Sequence, residues 1–125
     1  MVVILNNCLI IYMLNAKEIT VKRKIFSETD RSTAATFKVL SDVNRYRIFR
    51  ILAEQPKLSV SDIAQILDIS LPLASQHLKI LGHANLLQKE RDGKKVYPKL
   101  EHGNPLVKVI NKTIIQAVKI NRKLK

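Results

Sequence analysis

Ser70-Leu-Pro-Leu-Ala-Ser-Gln-His-Leu-Lys-Ile-Leu81 is followed, after a short break, by Leu86-Leu-Gln-Lys-Glu-Arg-Asp-Gly-Lys-Lys-Val-Tyr97. In the first segment Ser70 stands where a helix cap is wanted, and Pro72 lies in the first turn, where a missing N–H does no harm. Ala74, Leu78 and Leu81 recur at i, i+4 and i+7, so this segment predicts an amphipathic helix with those residues inward. Pro72, Ser75, Gln76 and Lys79 are left on the opposite face. Asn85 tolerates the left-handed conformation of a helix C-terminus and closes the helix in place of glycine. The second segment predicts a cationic hairpin around Asp92-Gly93, a favoured two-residue type I′ turn. That turn pairs Glu90 with Lys95, which attract, and Arg91 with Lys94, which repel at the tip. Pro98 cannot donate to a ladder and marks an edge.

Upstream, Ser59 and Asp62 have capping-box spacing, and Ile63, Ala64 and Leu67 form the inner stripe of a short helix. Asp68-Ile69-Ser70 leaves space only for a tight turn before the next helix. An earlier helix over residues 43–54 begins at Asp42, whose carboxylate accepts free amides of a first turn. It turns Tyr46, Phe49 and Leu52 inward and stops at Gln55-Pro56. Periodicity from Ser32 places Ala34, Phe37 and Leu40 on one face of another helix. Residues 15–31 are polar, mixed in charge, and read as a flexible arm.

The chain has 125 residues, enough for one domain with a single core. Lys and Arg number 22 against 10 Asp and Glu, a net charge of +12 with a pI near 10.1. That balance makes nucleic acid or an anionic membrane surface the expected partner, with an inert basic surface as the plainer alternative. Aromatic residues are only 5% and Trp is absent, which disfavours single strands bound by base stacking. Cys8 is the single cysteine; it forms no intrachain disulfide or zinc cluster and fits a reducing, cytoplasmic setting. Residues 1–14 are largely apolar but broken by Asn6 and Asn7, and they fall short of the roughly 20 residues a membrane span needs. Positive charge follows this run, whereas a signal peptide has it in front. Three readings stay open: Met13 as the true start, an extra strand or helix covering the core or a dimer seam, or a membrane-surface anchor. Stable membrane insertion is not expected.

Gly103-Asn104-Pro105 opens a last helix that runs to about Arg122. Leu106, Ile110, Thr113, Ile114 and Ala117 follow one stripe, continued by Leu124 and widened by Val107, Val109, Ile115 and Val118. A domain this small cannot cover such a width alone, so a second copy meeting the same stripe across a two-fold axis is predicted. After Glu101 the chain has no acidic residue, and Lys108, Lys112, Lys119, Arg122, Lys123 and Lys125 make a second cationic zone. The fold class expected is mainly α with a small β-hairpin wing (α+β), a winged helix-turn-helix that dimerises through its terminal helices. Residues 1–31 are the apolar segment and basic arm, and 32–123 the DNA-binding and dimerisation domain.

Phe37-Lys-Val-Leu40-Ser41-Asp42-x-x-Arg45-x-Arg47-Ile48 resembles the opening signature of the ArsR/SmtB family of bacterial winged-helix repressors. Leu58-x-Val60-x-Asp62-Ile63-Ala64 is similar to the family's third helix, Ser70-x-Pro72-x-x-Ser75-x-His77-Leu78-Lys79-x-Leu81 to its recognition helix, and Asp92-Gly93-Lys94-x-Val96-Tyr97 to its wing. The likeness spans residues 32–100 and implies a homodimeric transcriptional regulator, usually a repressor released from its operator by an inducer. The metal-sensing members often carry Cys in the third-helix segment. This chain has Ser59 and Ser61 there, and hydroxyls bind soft metals poorly. Members with a second site type use Asp, His and Glu along the last helix; from Pro105 onward this chain has none. His102 lies just before that helix without an evident ligand partner.

The expected function is therefore a sequence-specific regulator of double-stranded DNA, a homodimer on an inverted repeat, with no metal, no cofactor and no catalytic residues. Ser75 and Gln76 are placed at base edges, Gln76 bidentate to adenine, and Leu73 beside a thymine methyl or packed. Ser70, Pro72 and His77 complete the helix surface, His77 as a family feature better suited to packing or backbone bonding than to a ligand. Lys79, Lys89, Arg91, Lys94 and Lys95 are placed at phosphates, with one phosphate relieving the Arg91–Lys94 repulsion. Two rivals are a winged-helix protein-interaction module and a nonspecific architectural DNA binder. The inducer is left open.

Overall fold

The computed structural model describes residues 2–5, 9–55 and 57–124. Expectations that rest on Asn6, Asn7, Cys8, Pro56 and Lys125 fall outside the described residues. The chain divides into two compact units, Met1–Ala34 and Ala35–Lys125.

In the first unit, β1 (Val2–Leu5) pairs antiparallel with β2 (Leu9–Tyr12), Val2 opposite Tyr12 and Leu5 opposite Leu9. The arm predicted to be flexible instead contains α1 (Ala16–Arg23). Asn15 and Glu18 explain it: Glu18 N–H donates to Asn15 Oδ1 at 2.8 Å, and Asn15 N–H donates back to Glu18 Oε2 at 3.0 Å. This reciprocal box satisfies amides that would otherwise fray the first turn. α1 buries none of its residues.

α2 (Asp30–Leu40) starts two residues earlier than its apolar periodicity suggests, and of its predicted inward residues only Leu40 meets the core. Thr36 is buried, Val39 and Leu40 pack on the core, and Phe37 is 65% exposed. α3 (Val43–Glu54) is capped by Asp42, whose Oδ1 accepts the N–H groups of Asn44 at 2.9 Å and Arg45 at 3.0 Å. It buries Ile48, Phe49 and Leu52, with Tyr46 only half-buried. α4 (Val60–Leu67) carries the predicted box, Asp62 N–H to Ser59 Oγ at 3.1 Å and Ser59 N–H to Asp62 Oδ2 at 2.9 Å. α5 (Leu71–His83) begins at Ser70, whose Oγ accepts Leu73 N–H at 3.2 Å.

α4 and α5 end in the same way. Asp68 (φ 55°) and Asn85 (φ 60°) are left-handed, and the amides beyond them, Ile69 and Leu86, reach back to the carbonyls of Ala64 and Leu81. This is the Schellman closure, with Asp and Asn in the place glycine most often takes. After Asn85 the chain enters β3 (Leu87–Asp92), which pairs antiparallel with β4 (Lys95–Leu100). α6 (Pro105–Lys123) follows, capped by Asn104 Oδ1, which accepts Leu106 N–H at 3.1 Å. The same Asn104 donates Nδ2–H to the Asn85 carbonyl at 2.9 Å, tying the start of α6 to the end of α5.

One core gathers Ile48, Phe49 and Leu52 of α3, Ile63 of α4, Leu81 of α5, Leu86, Leu87 and Leu100 at the hairpin base, and Val107 of α6. Because Leu87 lies opposite Leu100, the ribbon is rooted in the core while its tip stands in solvent. Three helices around α4–turn–α5, plus this ribbon, make a winged helix-turn-helix. Among the described residues no helix is long and apolar enough to cross a membrane.

Candidate nucleic-acid interface

α5 is held by its inner stripe and leaves the other side free. Ala74, His77 and Leu81 are buried and Leu78 half-buried, at i, i+3, i+7 and i+4. Ser70, Leu71, Pro72, Leu73, Ser75, Gln76 and Lys79 are exposed. His77 therefore leaves the predicted DNA-facing set: its spacing from Ala74 and Leu81 carries it inside, at 7% exposure. Nor is it held by a backbone bond through Nδ1, which is buried without a hydrogen-bond partner. It is a packing residue on the back of the helix.

Asp42, at the start of α3, lies within electrostatic reach of His77. Its carboxyl is held below the ordinary carboxylate value, first by the Arg45 N–H that donates to it. The charges of Arg45 and His77 help, and partial desolvation opposes. Asp62 is lowered for the same kind of reason, chiefly the Ser59 N–H, with a contribution from the Lys95 charge.

The ribbon turns one residue later than predicted. Asp92 lies opposite Lys95, Arg91 opposite Val96 and Glu90 opposite Tyr97, so the two-residue loop is Gly93-Lys94. Gly93 has φ 62° while Lys94 is not left-handed, the sign pattern of a type II′ turn with glycine first. A type I′ loop at Asp92-Gly93 would need positive φ at Asp92; moving the loop by one gives that conformation to glycine alone. The Arg91–Lys94 pairing is thereby removed, and Asp92 lies opposite Lys95 in the register.

Alternation along the strands separates the ribbon into two faces. One carries Glu90, Asp92, Lys95, Tyr97 and Lys99. There Lys57 Nζ meets Asp92 at 3.2 Å, Lys99 meets Glu90 at 3.9 Å, and Lys57 sits 5.9 Å from the Tyr97 ring centre. The hydrogen bond to Asp92 pushes the Lys57 ammonium up from its ordinary value. The other face carries Lys89 and Arg91 with Val96 and Pro98, and with Leu78 and Val60 it lines a cleft of about 560 Å³ beside α5. The ribbon's acids are thus engaged on one face, and among the described residues Lys79, Lys89, Arg91, Lys94 and Lys95 have no ion pair. Lys57 was missed in the sequence, because nothing local signals a contact thirty-five positions away.

The predicted dimer stripe is split between two faces. Val107 is buried, and Ile110 and Ile114 are half-buried against the chain's own core. Leu106, Thr113 and Ala117 are exposed, and with Val109, Ile120 and Leu124 they form a second stripe roughly a quarter turn away.

The sequence profile described as "Bacterial regulatory protein, arsR family" matches residues 42–89, from the α3 cap into the first ribbon strand. A cadmium resistance regulatory protein CadC homologue of Staphylococcus aureus is 32% identical over 102 residues, covering 80% of this chain and 84% of that one. The cadmium resistance regulator CadC of Listeria innocua is 38% identical over 76 residues, 61% of this chain; the chain spans 64% of that relative's length. Among solved structures, the transcriptional repressor BigR of Xylella fastidiosa matches with a TM-score of 0.61 at 25% identity, over 82% of this chain and 95% of that one. The homodimeric winged helix-turn-helix DNA-binding domain Mb0332 of Mycobacterium bovis matches with a TM-score of 0.59 at 20% identity, over 87% and 90%. These relatives are regulators, not enzymes. With its profile match and its S. aureus relative covered over most of its length, the chain belongs to the arsR family of bacterial regulatory proteins.

Proposed function

We propose that this protein is a sequence-specific regulator of double-stranded DNA, a repressor that binds an inverted-repeat operator as a homodimer. The observation that carries the reading is the outer face of α5. Ser75 and Gln76 stand free near its N-terminal end, beside a ribbon whose Lys89, Arg91, Lys94 and Lys95 form no ion pair among the described residues. A helix of this kind fits the major groove, and Gln76 can serve adenine with both its amide groups. Lys79 and the ribbon cations are suited to the phosphates alongside. Repression is supported by the relatives, of which BigR is named a repressor. Dimerisation through the outer stripe of α6 is supported by that stripe's exposure and by the homodimeric state of Mb0332. A protein working on chromosomal DNA acts in the cytoplasm. The domain for this work is residues 32–123, with 1–31 as an appendage.

The CadC relatives are named for cadmium resistance, and the third-helix residues of this chain are poor ligands for a soft metal. Ser59 and Ser61 offer hydroxyls, and Ser59 Oγ already accepts an amide of α4. Among the described residues no three His, Cys, Asp or Glu side chains converge on one point. The inducer is left open.

The direct test is selection of bound fragments from the source genome, followed by titration of the recovered site and of random duplex. The reading expects a preference of about a thousandfold or more for the recovered site. Equal affinities would identify an architectural binder, and no duplex binding at physiological salt would leave a protein-interaction module. Replacing Lys94 and Lys95 with Gln should weaken every duplex and lower the salt-dependence slope by roughly one unit each. An unchanged slope would take the ribbon off the backbone.

A further inference from the structure

A second cleft, of about 200 Å³, opens between α3 and the C-terminal half of α6. Its floor is apolar, made by Ala53, Ile114 and Val118, and its walls carry Arg50, Glu54, Lys119 and Arg122. Three cations and one carboxylate converge on a small apolar floor. Among the described residues none of the four takes part in an ion pair, although Glu54 is close enough to share the cleft. A charged wall whose own carboxylate leaves it unneutralised attracts anions, and an apolar floor favours a ligand with a hydrocarbon body. At 100° per residue, Ile115, Lys119 and Arg122 lie roughly 150° around α6 from the exposed stripe of Leu106, Val109 and Ile120. A dimer formed through that stripe leaves the cleft open.

We propose that this cleft is a binding site for a small carboxylate with an aromatic or branched aliphatic body. The carboxylate lies against Arg50 and Arg122, and the hydrocarbon part rests on Ala53, Ile114 and Val118. Glu54 works against it, which gives the site an unusual signature: losing a cation and losing the carboxylate change affinity in opposite directions. The site does not depend on the DNA reading. Its one consequence that does is that an occupant touching α3, which also packs on α5, bears on the recognition helix.

The test is amide-shift titration of the full-length protein with benzoate and with 4-methylpentanoate, using benzyl alcohol as the uncharged control. Saturable shifts centred on Ala53, Asn111, Ile114 and Val118 are expected, with a dissociation constant on the order of 1 mM, as befits so small a ligand. Benzyl alcohol should bind at least about fivefold more weakly, and the gap should narrow with salt. Arg50→Gln with Arg122→Gln should weaken benzoate by about tenfold, and Glu54→Gln should strengthen it by about twofold to fivefold. Thermal melts check that each variant is folded; if the Arg pair fails to fold, Glu54→Gln and Lys119→Gln give the same opposed signs. Unsaturable shifts with both carboxylates, equal affinity for benzyl alcohol, or variants that move affinity in one direction would overturn the proposal. Because no DNA is present, failure here leaves the regulator reading standing, and the reverse also holds.

Discussion

α5 and α6 each bury one stripe in the same core, Ala74, His77 and Leu81 on the first and Val107, Ile110 and Ile114 on the second. What they turn outward differs. α5 presents Ser75, Gln76 and Lys79, while α6 presents Leu106, Val109, Ala117, Ile120 and Leu124. Burial of one stripe is a condition of folding and says nothing about partners. The outer side is what folding leaves unconstrained, and there a polar face suits water or a polar ligand, whereas an aligned apolar face asks for another protein surface. The two helices therefore separate stability from function in one molecule, and each outer face should be removable without loss of the fold.

The sharpest contrast is on α5 itself. Leu81 is fully buried, so Leu81→Ala should cost about 2–5 kcal/mol of unfolding free energy. Ser75→Ala, on the outer side, should stay within about 0.5 kcal/mol. Denaturant melts compare the two; similar costs would mean that the outer side is packed after all.

On α6 the outer stripe should control assembly. Val109 and Ile120 are 60% and 56% exposed in the single chain. Placing Asp at both should raise the dimer dissociation constant by at least about a hundredfold, since a charge buried without a partner is strongly unfavourable. The fold of each copy should persist. Sedimentation of the double variant decides it, and an intact dimer would move the seam elsewhere.

Gln76→Ala sharpens the polar side. It should lose about 1–3 kcal/mol at the recovered operator, with little change on random duplex, and relax selection at one base position. His77→Gln, on the back of the same helix, should act on stability first. Equal losses on specific and random DNA would remove Gln76 as a reader.

These contrasts also explain which features were legible. Caps were: Asp42, Ser59 and Ser70 act through atoms a few positions away, and their spacing announces the helices that follow, whereas the cap role of Asn104 was not read. The inner stripe of α5 was readable through Ala74, Leu78 and Leu81, but His77 reads outward by its polarity, although its position between Ala74 and Leu81 carries it inside. Rotation about a helix axis was less so. On α2 the chain chose Thr36 over Phe37, and on α6 two apolar stripes a quarter turn apart read as one broad band. An apolar count cannot tell which stripe meets the core when both would serve. The hairpin loop was misplaced by one residue because Asp-Gly and Gly-Lys are both acceptable turns. Only the full register, fixed at the far end by Leu87 opposite Leu100, chooses between them. The α1 box was visible as Asn15-x-x-Glu18 but lay outside any apolar stripe.

The smallest effect probes where the two roles touch, at Asp42. Asn caps a helix about as well as Asp, so Asp42→Asn keeps the bonds to Asn44 and Arg45 and removes only the charge. The folded carboxyl is lowered by the Arg45 amide and by the nearby Arg45 and His77 charges. A depressed folded pKa contributes stability that is complete above the unfolded value, and this is lost as pH falls through the folded one. At neutral pH and low salt the variant should be less stable by about 0.3–1 kcal/mol, the usual worth of an anion at a helix N-terminus. The gap should hold down to about pH 5, narrow through the carboxylate range, and vanish below the folded pKa, where Asp42 is also neutral. Denaturant melts at a series of pH values follow it. A gap that persists in acid would assign Asp42 a role as shape alone, and a gap absent at neutral pH would show that the charge near the buried face of α5 contributes nothing to holding that helix.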